Sequence, residues 1–379
     1  MGAIVTPLRT PTRRRYSHSK KLSSITRSGI WFYDGNIVLI ASSVAFKVHR
    51  GQLRRHSEVF DDLFSIPQPS EQDLYDGCPW IEVYDCPSDV FYFLNALYDG
   101  LYFRSPGADD FPVVAAVLRL STKYLVERLR QRCLARLVLD WPSTVTAWDA
   151  REQAATDAVG HYIPRIPCPH PILIIDLALE LNLPFLLPAA IYDLARYGPS
   201  RILAGTPTPT PVSFTSEPPV PLKPTTLSHS LLVAILRGRE SAQRYIADFV
   251  ITQLQCRAPA ADCIYREVYR EEDLPSQSCR ESFYYIMLNV LRSVGGIACG
   301  RDADPLYTLL QAMDMLSSTE FSDGHSQCGL KMCHPCKVDF ATSAARAREE
   351  VWQLLPIWFG LDGKVTKAEA PGKRDTVFQ

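Results

Sequence analysis

The sequence predicts an α+β protein, in which a small sheet packed with helices near the N terminus is followed by a mostly α-helical C-terminal region. Two strand-like runs stand close together at residues 37–48, and apolar residues recur at helical spacing after them. Helical spacing then dominates from residue 227 to residue 359. Hydrophobic residues make up 46% of the 379 residues and charged residues 21%, so the chain can bury a large apolar area.

The first domain is predicted over residues 29–139 and opens with a β-hairpin. Residues 37–40 form a β-branched run, and residues 44–48 alternate apolar with small or polar side chains as a half-buried strand does. Ile81, Val83 and Cys86 alternate as a third strand. Apolar residues at helical spacing predict a helix before this strand, namely Leu53, Phe60, Leu63 and Phe64. After the strand, Ser88 is predicted to cap a helix whose inward-facing residues are Val90, Phe91, Leu94, Leu97 and Tyr98. Two more helices are predicted at residues 113–120 and 124–137.

Five further segments complete the predicted organisation. They are a disordered basic tail at 1–28, a helical extension at 140–198, a Pro-rich loop or linker at 199–225, an α-helical region at 226–361 and a flexible tail at 362–379. Eight of the 29 prolines fall between Pro199 and Pro224, and proline removes backbone donors. We expect this segment to be a mobile break, unless apolar anchors pin it to the helical surface, namely Val212, Phe214, Val220 and Leu222.

The first domain contains an ordered set of motif residues, namely Asp34, Asn36, Phe46, His49, Arg50, Leu53, Ser57, Phe60, Tyr98 and Tyr124. This set resembles the BTB/POZ domain, and the chain as a whole is similar to the expanded fungal group of BTB-domain proteins. Most of these are also what a buried core requires, and we expect recognition to lie on the surface. The resemblance implies a protein-interaction or oligomerisation module that binds protein partners and can form a homodimer.

The family offers more specific roles, which stay open as alternatives. Such domains act as substrate adaptors of cullin-type ubiquitin ligases or as oligomerisation modules of transcription regulators. At residues 69–71 the sequence is Pro-Ser-Glu, a poor match to the element that cullin binding usually needs, and no paired Cys and His zinc fingers accompany the domain. The first six residues fit a myristoylation pattern at Gly2 with a basic tail behind it, so a membrane-anchored scaffold is a third possibility.

Soft ligands cluster late in the chain. Cys333 and Cys336 are separated by two residues, a spacing at which two thiolates clasp one zinc ion. With Cys328 and His325 they form a candidate structural zinc site, and Cys299 is another possible fourth ligand. The alternative is that these cysteines are buried reduced thiols. No other cofactor is expected.

Catalysis is not expected, because the sequence lacks a Gly-x-Ser-x-Gly elbow, a phosphate-binding loop, a dinucleotide fingerprint and a His-Glu-x-x-His pair. The net charge of −1 gives no whole-chain attraction to nucleic acid. No apolar run reaches the roughly 20 residues that a bilayer requires, and no secretory signal is recognised. We therefore expect a cytoplasmic or nuclear, non-enzymatic protein without a small-molecule substrate.

Overall fold

The computed structural model of the protein describes residues 25–67, 74–103, 107–214, 222–265, 278–291, 303–317, 321–322, 327–328 and 330–361. It is mixed α and β, with a small five-stranded sheet near the N terminus and helices through most of the rest, which confirms the predicted fold class at this level. Contacts divide the chain into an N-terminal unit (residues 1–136 and 209–222) and a C-terminal unit (residues 137–208 and 223–379). Nearly all of the two predicted tails, Gly2 included, lies outside the described residues.

The sheet of the N-terminal unit has the order β1-β3-β2-β5-β4. Its strands are β1 (Thr26–Trp31), β2 (Ile37–Ala41), β3 (Val44–Val48), β4 (Leu74–Tyr75) and β5 (Cys78–Val83). Strands β2 and β3 form the predicted hairpin, with Leu39 opposite Phe46. The third predicted strand ends at Val83, before Cys86, and lies parallel to β2. Strands β1 and β4 were not predicted, since neither has a β-branched run.

Five helices follow in this part of the chain, α1 (Arg50–His56), α2 (Glu58–Ser65), α3 (Pro87–Tyr98), α4 (Phe111–Lys123) and α5 (Glu127–Asp140). Leu53, Phe60 and Phe64 are buried as their spacing predicted. The predicted helix cap at Ser88 is wrong, because α3 begins one residue earlier at Pro87. Proline is favoured at the first helical position, where its fixed φ suits the helix and its missing N–H is not needed. Ser88 thus lies inside the first turn.

The C-terminal unit is mainly helical. Its helices are α6 (Val145–Ala154), α7 (Pro171–Glu180), α8 (Leu187–Ala195), α9 (Pro199–Ala204), α10 (His229–Val250), α11 (Ser278–Asn289), α12 (Pro305–Asp314) and α13 (His334–Trp358), with a short hairpin of β6 (Phe321–Ser322) and β7 (Gln327–Cys328). Helix α13 begins at His334, with Pro335 in its first turn. Among the described residues, no helix has the length and apolarity needed to cross a membrane.

The segment predicted to be a Pro-rich loop or linker has structure of its own. Helix α9 takes up its first six residues, and Thr206 and Thr225 form an antiparallel bridge. Two of the four candidate anchors make contacts, since the Val212 N–H donates to Ser88 Oγ at 3.0 Å and the Phe214 ring packs on aromatic side chains. The surface they contact belongs to the N-terminal unit rather than to the helical region. Leu222 is 50% exposed, and Val220 lies outside the described residues.

A buried carboxylate, Asp193 of α8, organises the interior of the C-terminal unit. It accepts hydrogen bonds from Arg151 at 2.7 Å, Arg165 at 2.5 Å and Arg196 at 2.6 Å. Its side chain is only 2% exposed. Burial opposes ionisation, but the three guanidinium groups outweigh it and hold the pKa of Asp193 well below its usual range. The carboxylate is therefore ionised inside the protein.

The same network reaches two further acids. Arg196 donates to Glu152 of α6 at 2.7 Å and to Asp304 at 3.1 Å. Asp304 also accepts a hydrogen bond from the buried Tyr192 hydroxyl at 2.6 Å and caps α12. Three arginines thus face three carboxylates, so the buried charges balance while joining α6, α8 and the start of α12.

His170 makes the stability of this unit sensitive to pH. Its Nδ1 accepts a hydrogen bond from the Ile172 N–H at 3.3 Å at the start of α7. Burial, reinforced by the nearby Arg165 charge, lowers the pKa of His170 to about 4. Because this pKa lies below the unfolded value of about 6.5, the stabilisation is complete above about pH 6.5 and is lost as pH falls toward 4.

The substitution His170→Asn tests this, because asparagine keeps a capping oxygen but does not titrate. Between about pH 7 and about pH 5, the free energy of unfolding of the wild type should fall by about 1–2 kcal/mol more than that of the variant, after allowance for partial exposure. Urea denaturation at the two pH values measures the difference. If the free energy of unfolding changed with pH equally in the two proteins, His170 would not be the group that makes stability depend on pH.

Candidate functional site

The motif residues of the N-terminal unit meet first at the start of α1. Asn36 accepts the Arg50 backbone N–H on its Oδ1 at 2.7 Å, which satisfies an amide that the helix leaves free. The His49 N–H donates to the Tyr98 hydroxyl at 2.8 Å. The His49 Nε2 lies 3.2 Å from Asp34. Side chains from the loop before β2 and from α3 therefore fix where α1 begins.

The guanidinium group of Arg50 is bound within its own unit. It donates to the backbone carbonyl of Phe64 in α2 and lies 5.0 Å from the centre of the Phe64 ring. Asn36 contacts the backbone of Arg50. The polar contacts at this corner thus hold α1 and α2 together.

A second group of motif residues surrounds Ser57, which is buried. Its hydroxyl accepts the Phe60 N–H at 3.1 Å, capping α2, and donates to the Tyr124 carbonyl at 2.6 Å. The Phe60 and Tyr124 rings stack with centroids 4.5 Å apart. Burial, together with the hydrogen bond that the Tyr124 hydroxyl donates to Asp85, raises the pKa of Tyr124 far above its usual range. Tyr124 therefore stays neutral and serves as a structural donor.

All ten motif residues are described, and most of their contacts are internal. Phe46 and Leu53 are fully buried, which agrees with the interpretation that these positions mainly form the core. Among the residues of the unit that the structure describes, the most exposed aromatic side chains are outside the motif, namely Tyr33, Tyr84 and Tyr102 at 93%, 87% and 81% exposure. A binding surface on this unit would be found among such residues.

The C-terminal unit contains a buried cluster of four cysteines that could hold a metal ion. Cys263, Cys279, Cys333 and Cys336 place their sulfur atoms within 4.8 Å of one another. The separation is 3.9 Å between Cys263 and Cys279, and 3.7 Å from Cys333 to each of these two. A disulfide requires about 2.05 Å, and all four are free thiols.

Three separate parts of the chain supply these thiols. Cys263 comes from the loop after α10, Cys279 from the first turn of α11, and Cys333 and Cys336 from the start of α13. Cys333 is the N-cap of α13 and Cys336 lies in its first turn, where backbone N–H groups and the helix dipole favour negative charge. A bound ion would therefore join two helices and a loop.

Hydrogen bonds in the cluster favour one thiolate. Burial alone would raise the pKa of Cys333, but hydrogen bonds from the Cys336 and Ile264 backbone amides, and then from neighbouring thiols, lower it to about 7. Burial raises the pKa of Cys279 to about 11 and also raises that of Cys336. The cluster is thus buried, and its backbone donors already support negative charge on sulfur.

The sequence predicted half of this cluster. Cys333 and Cys336 belong to it, whereas His325 and Cys299 lie outside the described residues, and only the backbone of Cys328 is described. Cys263 and Cys279 were missed, because no short spacing pairs them with another ligand. The available signal was the high density of cysteines late in the chain, since seven of the eleven cysteines follow residue 250.

A cavity of about 410 Å³ lies beside the arginine network of the C-terminal unit. Its lining includes Trp148, Glu152, Tyr162 and Asp304. Both carboxylates already accept hydrogen bonds from Arg196. The cavity wall is therefore part of the structural network.

Comparison with known proteins adds no assignment: no protein-family model matches the chain, and no curated protein matches it.

Proposed function

We propose that the protein is a non-catalytic interaction protein whose N-terminal unit is a BTB/POZ-type module. The observation that carries the proposal is the corner at the start of α1, where Asn36, His49, Arg50 and Tyr98 contact one another in the arrangement described above. After β1, the unit continues with the hairpin, two helices, β4 and β5, and then further helices. Modules of this class act by binding protein surfaces.

The surface of the N-terminal unit supports this role. Tyr33, Tyr84 and Tyr102 are almost fully exposed, and the apolar side chains of Ile66 and Leu74 are 59% and 58% exposed. Tyrosine is enriched in the buried centres of protein interfaces, where it contributes a large apolar area and a polar tip. Because the net charge of the protein is only −1, the choice of partner would depend on such side chains rather than on a long-range electrostatic field.

Self-association is the first expected outcome. A full-length chain of 42.6 kDa should have twice that mass in light scattering at micromolar concentration, because symmetric pairs are the commonest assemblies of identical chains. Cys86 and Cys256 are exposed thiols, so the measurement needs a reducing agent to exclude disulfide-linked pairs. A monomer mass at every concentration would contradict self-association and leave only binding to other proteins.

We also propose that the four cysteines bind one structural zinc ion. In a tetrahedral site with Zn–S bonds of about 2.3 Å, neighbouring sulfur atoms stand about 3.8 Å apart. The sulfur separations of 3.7, 3.7 and 3.9 Å agree with that edge. Four thiolates close the coordination shell, which is typical of a structural site and leaves no open position for catalysis.

Zinc content tests this assignment directly. Protein purified without chelator should contain about one zinc per chain, and Cys279→Ser should reduce this below about 0.2 and lower the thermal unfolding temperature. Two serine substitutions are matched controls. Cys256→Ser changes an exposed thiol seven residues from Cys263, and Cys328→Ser changes a ligand predicted from sequence alone.

Both control variants should keep their zinc. Wild-type protein without zinc would refute the site. Loss of zinc in Cys328→Ser with retention in Cys279→Ser would instead favour the ligand set predicted from the sequence.

A further inference from the structure

A short part of the Pro-rich segment, which we call the strap (residues 209–214), lies on the N-terminal unit. Its sequence is Pro-Thr-Pro-Val-Ser-Phe. The strap has no helix or strand, and two prolines restrict it to extended conformations. Its contacts resemble those of an extended peptide on a receptor more than those of a packed element.

The surface beneath the strap, which we call the strap groove, consists of Phe46 on β3 with Ser88 and Phe91 on α3. The Phe214 ring meets the Phe91 ring at a centroid distance of 5.9 Å and the Phe46 ring at 6.1 Å, both edge to face. This geometry is the favourable arrangement for aromatic pairs. One phenylalanine of the strap thus fits between an aromatic side chain of the sheet and one of a helix.

The groove also contains a polar group that forms a hydrogen bond with the backbone of the strap. Ser88 is buried at 6% exposure, and its hydroxyl accepts the Val212 N–H at 3.0 Å. A serine in the first turn of a helix does not need this partner to fold the helix. The hydrogen bond and the Phe214 ring are two residues apart, which defines a spacing that an extended segment can satisfy.

Thr206 precedes the strap in the sequence, Thr225 follows it, and their backbones pair. Thr206 and Thr225 exchange both backbone hydrogen bonds, at 3.0 and 2.8 Å. Gly205 precedes this bridge with φ +78°, and a Cβ there would lie 2.5 Å from the Thr225 carbonyl oxygen. Only glycine fits this close approach. Because the strap and its groove belong to the same chain, the strap competes for the groove at a high effective concentration.

The strap is only partly buried on the N-terminal unit. Phe214 and Val212 are only partly buried, and Pro211 and Ser213 are exposed. The Val212 backbone makes two contacts with the Ser88 hydroxyl, at 3.0 and 3.5 Å. Together with the Phe214 ring, they help to offset the entropy of ordering the strap. Such a contact is suited to exchange, because another segment with the same two features would make the same interactions.

We propose that the strap groove is a binding site for an extended, proline-containing segment with a phenylalanine, and that residues 209–214 occupy it in cis. An external segment of this chemistry binds after the strap leaves, so the strap acts as a competitive internal inhibitor. The proposal deepens the interaction role given above by naming a surface and a partner chemistry. It does not require self-association, and a monomeric protein could still bind through the groove.

The test uses full-length protein and a fluorescent, capped peptide of residues 206–214. Phe214→Ala removes the competing ring, and Val212→Pro removes the competing N–H while leaving the ring in place. Each release variant should bind the peptide at least about tenfold more tightly than wild type, because the internal competitor is weakened. Thr210→Ala is the matched control, since Thr210 is exposed within the strap and should leave the affinity unchanged.

A peptide with alanine in place of its phenylalanine should bind none of these proteins, which separates groove binding from adhesion of the label. Thermal unfolding establishes that each variant is folded. Equal peptide affinity in wild type and in both release variants would overturn the proposal, as would the absence of binding to folded Phe214→Ala and Val212→Pro. Failure of both variants to fold would also overturn it, because the strap would then be a structural part of the core. None of these results depends on the mass of the assembly, so the self-association test stands apart.

Discussion

The carboxylate of Asp193 is the constraint on which the C-terminal unit depends. It is buried, and it is ionised because Arg151, Arg165 and Arg196 surround it. Removing such a charge from water is costly, so the network is stable only while all of its members are present. Arg196 then extends it to Glu152 and Asp304. Helices α6, α8 and α12 are thereby held by interactions with directional geometry as well as by apolar packing.

In the N-terminal unit, neutral polar groups rather than a network of buried charges stabilise the starts of two helices. These groups are the buried Ser57 hydroxyl and the exposed Asn36 amide, each of which accepts a backbone N–H. Such groups carry little desolvation cost once they are bonded. Of the motif residues, Leu53 and Phe60 are buried in the core, whereas Phe46 also contacts the strap. Under the proposals above, recognition depends on exposed aromatic side chains and on the groove that the strap covers.

The sequence could predict those elements whose residues repeat with a clear period. The hairpin at residues 37–48 and the helices after it follow from alternation and helical spacing, and the structure contains them. The strap contact could not be predicted, because Ser88 and Val212 are 124 residues apart. The same reason hid Cys263 and Cys279, which approach Cys333 only after α11 and α13 pack. Periodicity describes local structure, whereas these contacts depend on tertiary packing.

The most direct test of this account is the free energy of unfolding of Asp193→Asn. Asparagine fills nearly the same volume but removes the charge, so three arginines lose their common partner. Urea denaturation should show a loss of about 3–5 kcal/mol, the usual cost of breaking a buried ionic network. Glu240→Gln, which removes an exposed partner of Arg244, is the control and should cost less than about 0.5 kcal/mol. A loss in Asp193→Asn as small as that of the control would contradict the claim that this carboxylate organises the unit.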